Sequence, residues 1–245
     1  LAHDVDTSKA VEIAEGVYWV GFHDEAAGFH CNPYLILDGE EAVLIDPGSV
    51  PHYPLVLNKV VSVVELPKIR YIIAHHQDPD LCAAIPKFEE VINRPTSVVT
   101  HTRAAVLIAH YGLKSDFYHV DREGWQLTLK SGRRLRFIFT PYLHFPGAFV
   151  TYDEKTKTLF TSDLFGAFSF DWHLYAGEYY IEAMKAFHEN YMPSREILAS
   201  AMRKLKKLDI KLIAPQHGSL IDKNILEHIE ALENLECGDY RFYEE

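Results

Sequence analysis

The residues best placed to do chemistry are His76, Asp78, Asp80, His144, Asp163 and His217, and the chemistry they suit is metal binding. An apolar, strand-like run, Tyr71-Ile72-Ile73-Ala74, stops at His75-His76-Gln77-Asp78-Pro79-Asp80-Leu81. A strand end is a rigid place from which to send ligands into a loop. His76, Asp78 and Asp80 alternate along the chain, so an extended backbone turns all three to one side. A compact site needs partners from elsewhere, and three later strand ends offer them. These are His144 in Thr140-Pro141-Tyr142-Leu143-His144-Phe145-Pro146-Gly147, Asp163 in Leu159-Phe160-Thr161-Ser162-Asp163-Leu164-Phe165-Gly166, and His217 in Ile213-Ala214-Pro215-Gln216-His217-Gly218. Each follows an apolar run and precedes a Gly where a strand breaks into a loop. A polar turn after a buried strand accounts for any one of them alone; together they point to a metal centre.

The elements that must position these groups follow a strand and helix rhythm, expected of α/β layering. Val17 to Phe22, Tyr34 to Leu37 and Ala42 to Ile45 read as strands, the last two joined by a turn at Asp38-Gly39. His52 to Glu65 reads as a helix whose apolar face is Leu55, Val56, Val60, Val63 and Val64. The metal-loop strand is followed by a helix from Leu81 to Val91, a strand at Ser97 to Val99 and a helix from Thr102 to Tyr111. Further on, Trp125 to Leu129 pairs with Leu135 to Phe139, and Phe149 to Tyr152 with Thr158 to Thr161, each pair joined by a polar turn. A polar, aromatic-rich loop from Phe165 to Tyr180 leads to helices at Ile181 to His188 and Arg195 to Leu205. The strand Lys211 to Ala214 and a last helix capped by Asp222 complete the pattern.

Composition bounds the partners. The chain has 245 residues and a formal net charge of −11. That charge argues against nucleic acid or an anionic membrane surface as a partner, since either demands a basic face. Cys31, Cys82 and Cys237 are odd in number and widely scattered, which fits reduced thiols better than a disulfide framework. The start of the chain lacks the basic-then-apolar pattern of a secretory signal, and no apolar run approaches the roughly 18 residues of a membrane helix. The expectation is a soluble cytoplasmic protein.

The ligand set resembles the metallo-β-lactamase superfamily, and within it the diiron domain of flavodiiron proteins. The superfamily's first motif is His-x-His-x-Asp-His, and the flavodiiron version replaces the second His with a carboxylate, usually Glu. Here the window is His76-Gln77-Asp78-Pro79-Asp80-Leu81. Val43-Leu44-Ile45-Asp46-Pro47-Gly48 matches the early strand and turn, and Asn32-Pro33-Tyr34-Leu35-Ile36 the segment before it. The resemblance therefore spans nearly the whole chain and implies an αββα sandwich, with residues 1–245 as one diiron domain. It departs twice: Asp78 is a methylene shorter than Glu, and Leu81 stands where a His is expected. The resemblance implies that His76, Asp78 and His144 hold one iron, Asp80 and His217 the other, and that Asp163 bridges them. Leu81 cannot coordinate, so the second iron keeps an open position for water or a diatomic ligand, or else the second site is weakened or lost. His23, in a loop that lines the flavodiiron pocket, would orient bound O2 or stand in for the missing ligand, and Leu81 would put an apolar wall beside the open position of the second iron. Asp46 would fix a ligand imidazole, and His75 should point away from the metals. His101, His110, His119, His173, His188 and His228 are read as surface or helix-packing residues.

Three functions remain open on this reading. Zinc hydrolases of the superfamily keep imidazole where this chain has Asp78, and a third carboxylate makes a harder, more anionic shell suited to Fe(II)/Fe(III). The cofactor expected is a pair of iron ions, with zinc as the alternative. Flavodiiron proteins carry a flavodoxin domain after this module, and this sequence ends at Tyr243-Glu244-Glu245 without one. A diferrous pair supplies two electrons where reduction of O2 to water takes four, so a chain without flavin should bind O2 and stop at a peroxo-diferric state. That favours an oxygen sensor in bacterial signalling, with a protein partner. The alternatives are an O2 or NO reductase fed by an external electron donor, and a dizinc hydrolase.

Overall fold

The structure, a computed structural model, describes residues 5–24, 28–168 and 172–238. The readings drawn from the first residues and from the last seven, 239–245, fall on segments that lie wholly or mostly outside the described residues. In chain order the first half comprises β1 (Val11–Ala14), β2 (Val17–Trp19), β3 (Phe22–Asp24), β4 (Phe29–Cys31), β5 (Tyr34–Asp38), β6 (Glu41–Ile45), α1 (Tyr53–Val63), β7 (Ile69–Ile73), α2 (Pro79–Cys82), α3 (Ile85–Ile92), β8 (Ser97–Thr100), α4 (Thr102–Ile108) and β9 (Asp116–His119). The second half comprises β10 (Gln126–Thr128), β11 (Arg134–Phe139), β12 (Phe149–Asp153), β13 (Thr158–Ser162), α5 (Tyr180–Tyr191), α6 (Arg195–Leu205), β14 (Leu212–Pro215) and α7 (Ile225–Glu233).

These strands form a seven-stranded sheet, β1-β2-β5-β6-β7-β8-β9, a five-stranded sheet, β10-β11-β12-β13-β14, and the separate hairpin β3-β4. Three apolar clusters fix the layering. Val17, Ile36, Val43, Ile45 and Ile73 of the first sheet meet Leu135, Phe137, Phe149, Phe160 and Ala214 of the second. The outer face of the first sheet, Leu35, Leu44 and Ile72, packs on Val56 and Val60 of α1, Phe88 of α3 and Ile108 of α4. The outer face of the second, Val150, Leu159 and Ile213, packs on Met184 of α5, Met202 of α6 and Ile229 of α7. The central strands thus turn apolar residues to both faces, as a sheet covered on both sides requires, while edge strand β10 leaves Gln126 and Thr128 exposed. The result is the αββα sandwich. Among the described residues no helix is long and apolar enough to cross a membrane.

Strand direction is what positions the site. β6, β7, β8 and β9 run parallel, and so do β13 and β14. Their C-terminal ends, together with the end of β11, release Asp46, His76, Asp163, His217 and His144 into loops. Open α/β sheets place ligands at such ends.

Several expected elements come out differently. The strand read over Val17 to Phe22 divides into β2 and β3, and β3 leaves the main sheet to pair with β4. Gly21 sits at the break, where a Cβ would come within 2.2 Å of the Cys31 carbonyl oxygen. The helix read over Leu81 to Val91 is two helices, α2 and α3, and the expected strand Trp125 to Leu129 is the shorter β10. Asp222 does not cap the last helix; Asn224, in the left-handed conformation, precedes Ile225. On α1 the face differs as well. Leu55 is exposed, and Lys59 takes its place inward, with Nζ donating to the carbonyls of Thr7 and Gly21 and lying over the Trp19 ring. A lysine stem can line an apolar face while its ammonium finds carbonyls at the edge.

Candidate metal centre

His76 leaves the end of β7, and Asp78 and Asp80 follow at the start of α2. His144 arrives from the loop after β11, Asp163 directly from β13, and His217 from the loop after β14. The backbone is bent hard to deliver them: Asp46, Tyr142, Ser162 and Phe165 all have left-handed φ, between 45° and 65°. Non-glycine residues held there are strained, and such strain collects at functional sites. Two glycines let the loops meet. A Cβ on Gly166 would lie 2.8 Å from the Asp163 carbonyl oxygen and 3.3 Å from that of His217, and one on Gly218 would lie 2.2 Å from the Tyr180 hydroxyl.

The six predicted ligands come together as two groups joined through one carboxylate. Asp163 Oδ2 lies 3.2 Å from His76 Nε2 and 2.9 Å from His144 Nε2. Asp78 Oδ2 lies 3.5 Å and 3.3 Å from the same two nitrogens. On the other side, His217 Nε2 is 3.0 Å from Asp80 Oδ2 and 3.6 Å from Asp163 Oδ1. The outer nitrogens are tied down. His76 Nδ1 is 3.0 Å from Ser162 Oγ, and His217 Nδ1 donates to the His30 carbonyl at 2.9 Å. That leaves each Nε2 free to point a lone pair inward, the arrangement by which a metal-binding imidazole is oriented.

Electrostatics in the metal-free chain agree with a cation site. Hydrogen bonds to Asp163 and Asp78 hold His144 up at about 10, against the effect of burial. Burial pushes the Asp163 carboxyl up, but the charges of His76 and His217 and the hydrogen bond from His144 bring it down to about 2. Asp78 is held well below the carboxylate range, first by the hydrogen bond from His144 and then by the nearby His76 imidazole. The carboxylates are thus charged, and protons on the imidazoles occupy the place of cations. Buried His76 Nε2 and Asp163 Oδ1 have no hydrogen-bond partner. Buried polar groups are otherwise nearly always paired, so one orphaned atom in the His76 group and another on the His217 side fit a pair of bound metal ions.

Other predicted residues fall as follows. His75 is fully buried and points away, with Nδ1 2.6 Å from Asp46 Oδ2 and Nε2 2.8 Å from Thr151 Oγ1. Asp46 therefore fixes the neighbour of a ligand rather than a ligand. His23 stacks edge-on to His30 and tilts against Trp172, lining a cavity of about 540 Å³ with Lys59 and Phe22. It stands in neither ligand group. Leu81 is fully buried in the apolar cluster behind the first sheet. The apolar wall on the His217 side is instead aromatic: the rings of Phe29 and Phe168 lie 5.5 Å and 5.0 Å from that imidazole. Nothing in the sequence marks these rings, since an aromatic residue in a three-residue strand, as Phe29, or in a loop, as Phe168, carries no periodic signal. Nor does anything there mark Cys31, whose thiol lies 3.7 Å from His217 Nδ1.

The chain is similar to several known proteins. A nitric oxide reductase of Moorella thermoacetica is 30% identical over 243 residues, covering 91% of this chain, and the chain spans 60% of that protein's length. The chemotaxis sensor ODP, solved as a peroxy diiron species, superposes with a TM-score of 0.82 at 23% identity, covering 96% of this chain and 98% of that one. The apo state of the same sensor from T. denticola gives 0.79 at 25% identity with the same coverage. The flavodiiron protein from Giardia intestinalis gives 0.80 at 26% identity, covering 92% of this chain and 58% of that one. The family model of the ODP family beta lactamases matches residues 29–218, the span that holds every one of the six converging side chains, and the chain belongs to that family.

Proposed function

We propose that this chain is a non-haem diiron protein that binds O2 and works as an oxygen sensor. His76, Asp78 and His144 hold one iron, Asp80 and His217 the other, and Asp163 bridges. The observation that carries the reading is the Asp163 carboxylate, which turns one oxygen to His76 and His144 and the other to His217. The similarity to a chemotaxis sensor solved with a diiron centre supports iron and O2. Iron supplies the electrons that O2 needs to bind. The protein's part is to hold the anionic shell, fix each imidazole by its outer nitrogen, and limit water on one side with Phe29 and Phe168. A signalling partner would read the occupied state.

A second reading, an O2 or NO reductase fed by an external donor, draws support from the nitric oxide reductase relative. Zinc hydrolysis draws less, because Asp78 replaces the imidazole that keeps zinc-bound water acidic. Anaerobic purification followed by metal analysis tests the metal: two iron per chain is expected, and stoichiometric zinc would overturn the reading. Adding O2 to the reduced protein with no donor should give an absorbance change lasting minutes or longer. Catalytic O2 or NO consumption with a simple donor, on the order of 10 per second, would replace the sensor by the reductase.

A further inference from the structure

We propose that Cys31 is a ligand of the second metal, supplying through sulfur the position that Leu81 cannot fill. The proposal rests on the two-metal reading above and adds a residue to it. β4 ends at Cys31, and the hairpin β3-β4 carries the thiol to the Asp80 and His217 side of the centre. Sγ lies 3.7 Å from His217 Nδ1 and 3.9 Å from the Asp80 main-chain oxygen. One ligand atom from each of Cys31, Asp80 and His217 lies within 4.8 Å of the others.

Two further observations point into the same space. Asp163 Oδ1 is buried without a hydrogen-bond partner and faces His217 Nε2 at 3.6 Å. Leu81 is sequestered in the apolar cluster, so the main-chain position that normally offers imidazole offers only hydrocarbon. The His30 carbonyl occupies His217 Nδ1 at 2.9 Å, so Nε2 is the nitrogen that meets metal; the thiol rests on the Nδ1 side of the ring, and ligation requires it to turn about its Cα–Cβ bond toward Asp80. Cys82 is the natural control. It is buried too, but its thiol sits 3.2 Å from the Asp78 carbonyl oxygen and belongs to neither ligand group.

Ligation is a simple exchange. The S–H bond breaks, the proton leaves to solvent, and the sulfur lone pair forms the bond to metal, with no change in oxidation state. The two metals then become unlike: the first is held by nitrogen and oxygen alone, while the second gains a soft donor that favours Fe(II) or Zn(II) over harder ions.

The test uses the full chain under reducing conditions, loaded with Zn(II), which has no redox chemistry of its own. X-ray absorption should show a sulfur neighbour at about 2.3 Å. Cobalt(II) in place of zinc should give a near-ultraviolet sulfur-to-metal charge-transfer band. Both signals should vanish in Cys31→Ser and persist in Cys82→Ser. Cys31→Ser should also weaken the second metal by at least about tenfold, as loss of even a supporting group at a metal site does, while the first metal stays. Two metals bound with only nitrogen and oxygen neighbours would overturn the Cys31 assignment and leave the two-metal reading standing. Failure of the native chain to bind two metals would overturn both. The native spectrum needs no variant, so a Cys31→Ser chain that folds poorly does not blunt the test.

Discussion

Asp163 is buried almost completely, and its charge is tolerated because three imidazoles surround it. A metal pair would use the same carboxylate as a bridge, and a neutral amide bridges poorly. Asp163→Asn should therefore lose one or both metals, measured by elemental analysis of protein loaded anaerobically, and retention of two would remove it from the centre. His101→Ala is the contrast. His101 Nδ1 accepts the Arg103 N–H at the start of α4, so its loss should cost roughly 0.5–2 kcal/mol of stability, as capping residues do, with metal content unchanged. These assignments were legible in the sequence because a histidine or aspartate placed directly after an apolar run leaves a strand end. Cys31 was not. Its neighbours Asp80 and His217 lie 49 and 186 positions away, and nothing local marks a buried cysteine as facing them rather than filling a core.

The elements carry the site through their ends, and α5 is the one that clamps the loop after Asp163. On it, His188 accepts the Phe165 N–H through Nε2 and donates to the Met184 carbonyl through Nδ1, which fixes a neutral ring. Burial, the larger influence, lowers its pKa from 6.5 to about 4. Above pH 6.5 the ring is neutral both folded and unfolded, and the contact contributes in full. As pH falls from 6.5 toward 4 the unfolded chain takes up a proton that the folded ring refuses, so stability is lost across that window. Urea midpoints of the metal-free protein should fall over this range, and His188→Gln should flatten part of the slope; equal slopes would show that His188 does not couple. Burial depresses His30 to about 4 as well, so some slope should remain. Helix α6 was legible in full, since its apolar period and the Ser194 cap agree. The hairpin β3-β4 was not, because three-residue strands offer too little alternation to register. The two-part form of α2 and α3 did leave a signal: Pro86, in the first turn of α3, marks a helix start inside the span read as one helix from Leu81 to Val91.

At the scale of the whole molecule, the ligands divide evenly between the two sheets. His76, Asp78 and Asp80 come from the first half of the chain, and His144, Asp163 and His217 from the second, so metal bound as proposed would tie one half to the other at one edge of the sandwich. Away from that edge the halves are held by the apolar layer between the sheets, with Trp19, Tyr34, Phe149 and Phe160 fully or almost fully buried there. Removing metal should thus leave the chain folded but less stable, because the apolar layer remains while paired imidazoles and carboxylates are returned to protons. A ligand present at a thousandfold its dissociation constant adds about 4.1 kcal/mol to stability. For a chain of this length each kcal/mol moves Tm by about 2–4 °C, so stripping one tightly held ion should lower Tm on the order of 10 °C. Thermal unfolding with and without chelator measures this directly, and Asp163→Asn should show most of the drop before any chelator is added. A Tm that does not respond to chelation of a fully loaded protein would mean that the metals do not join the halves.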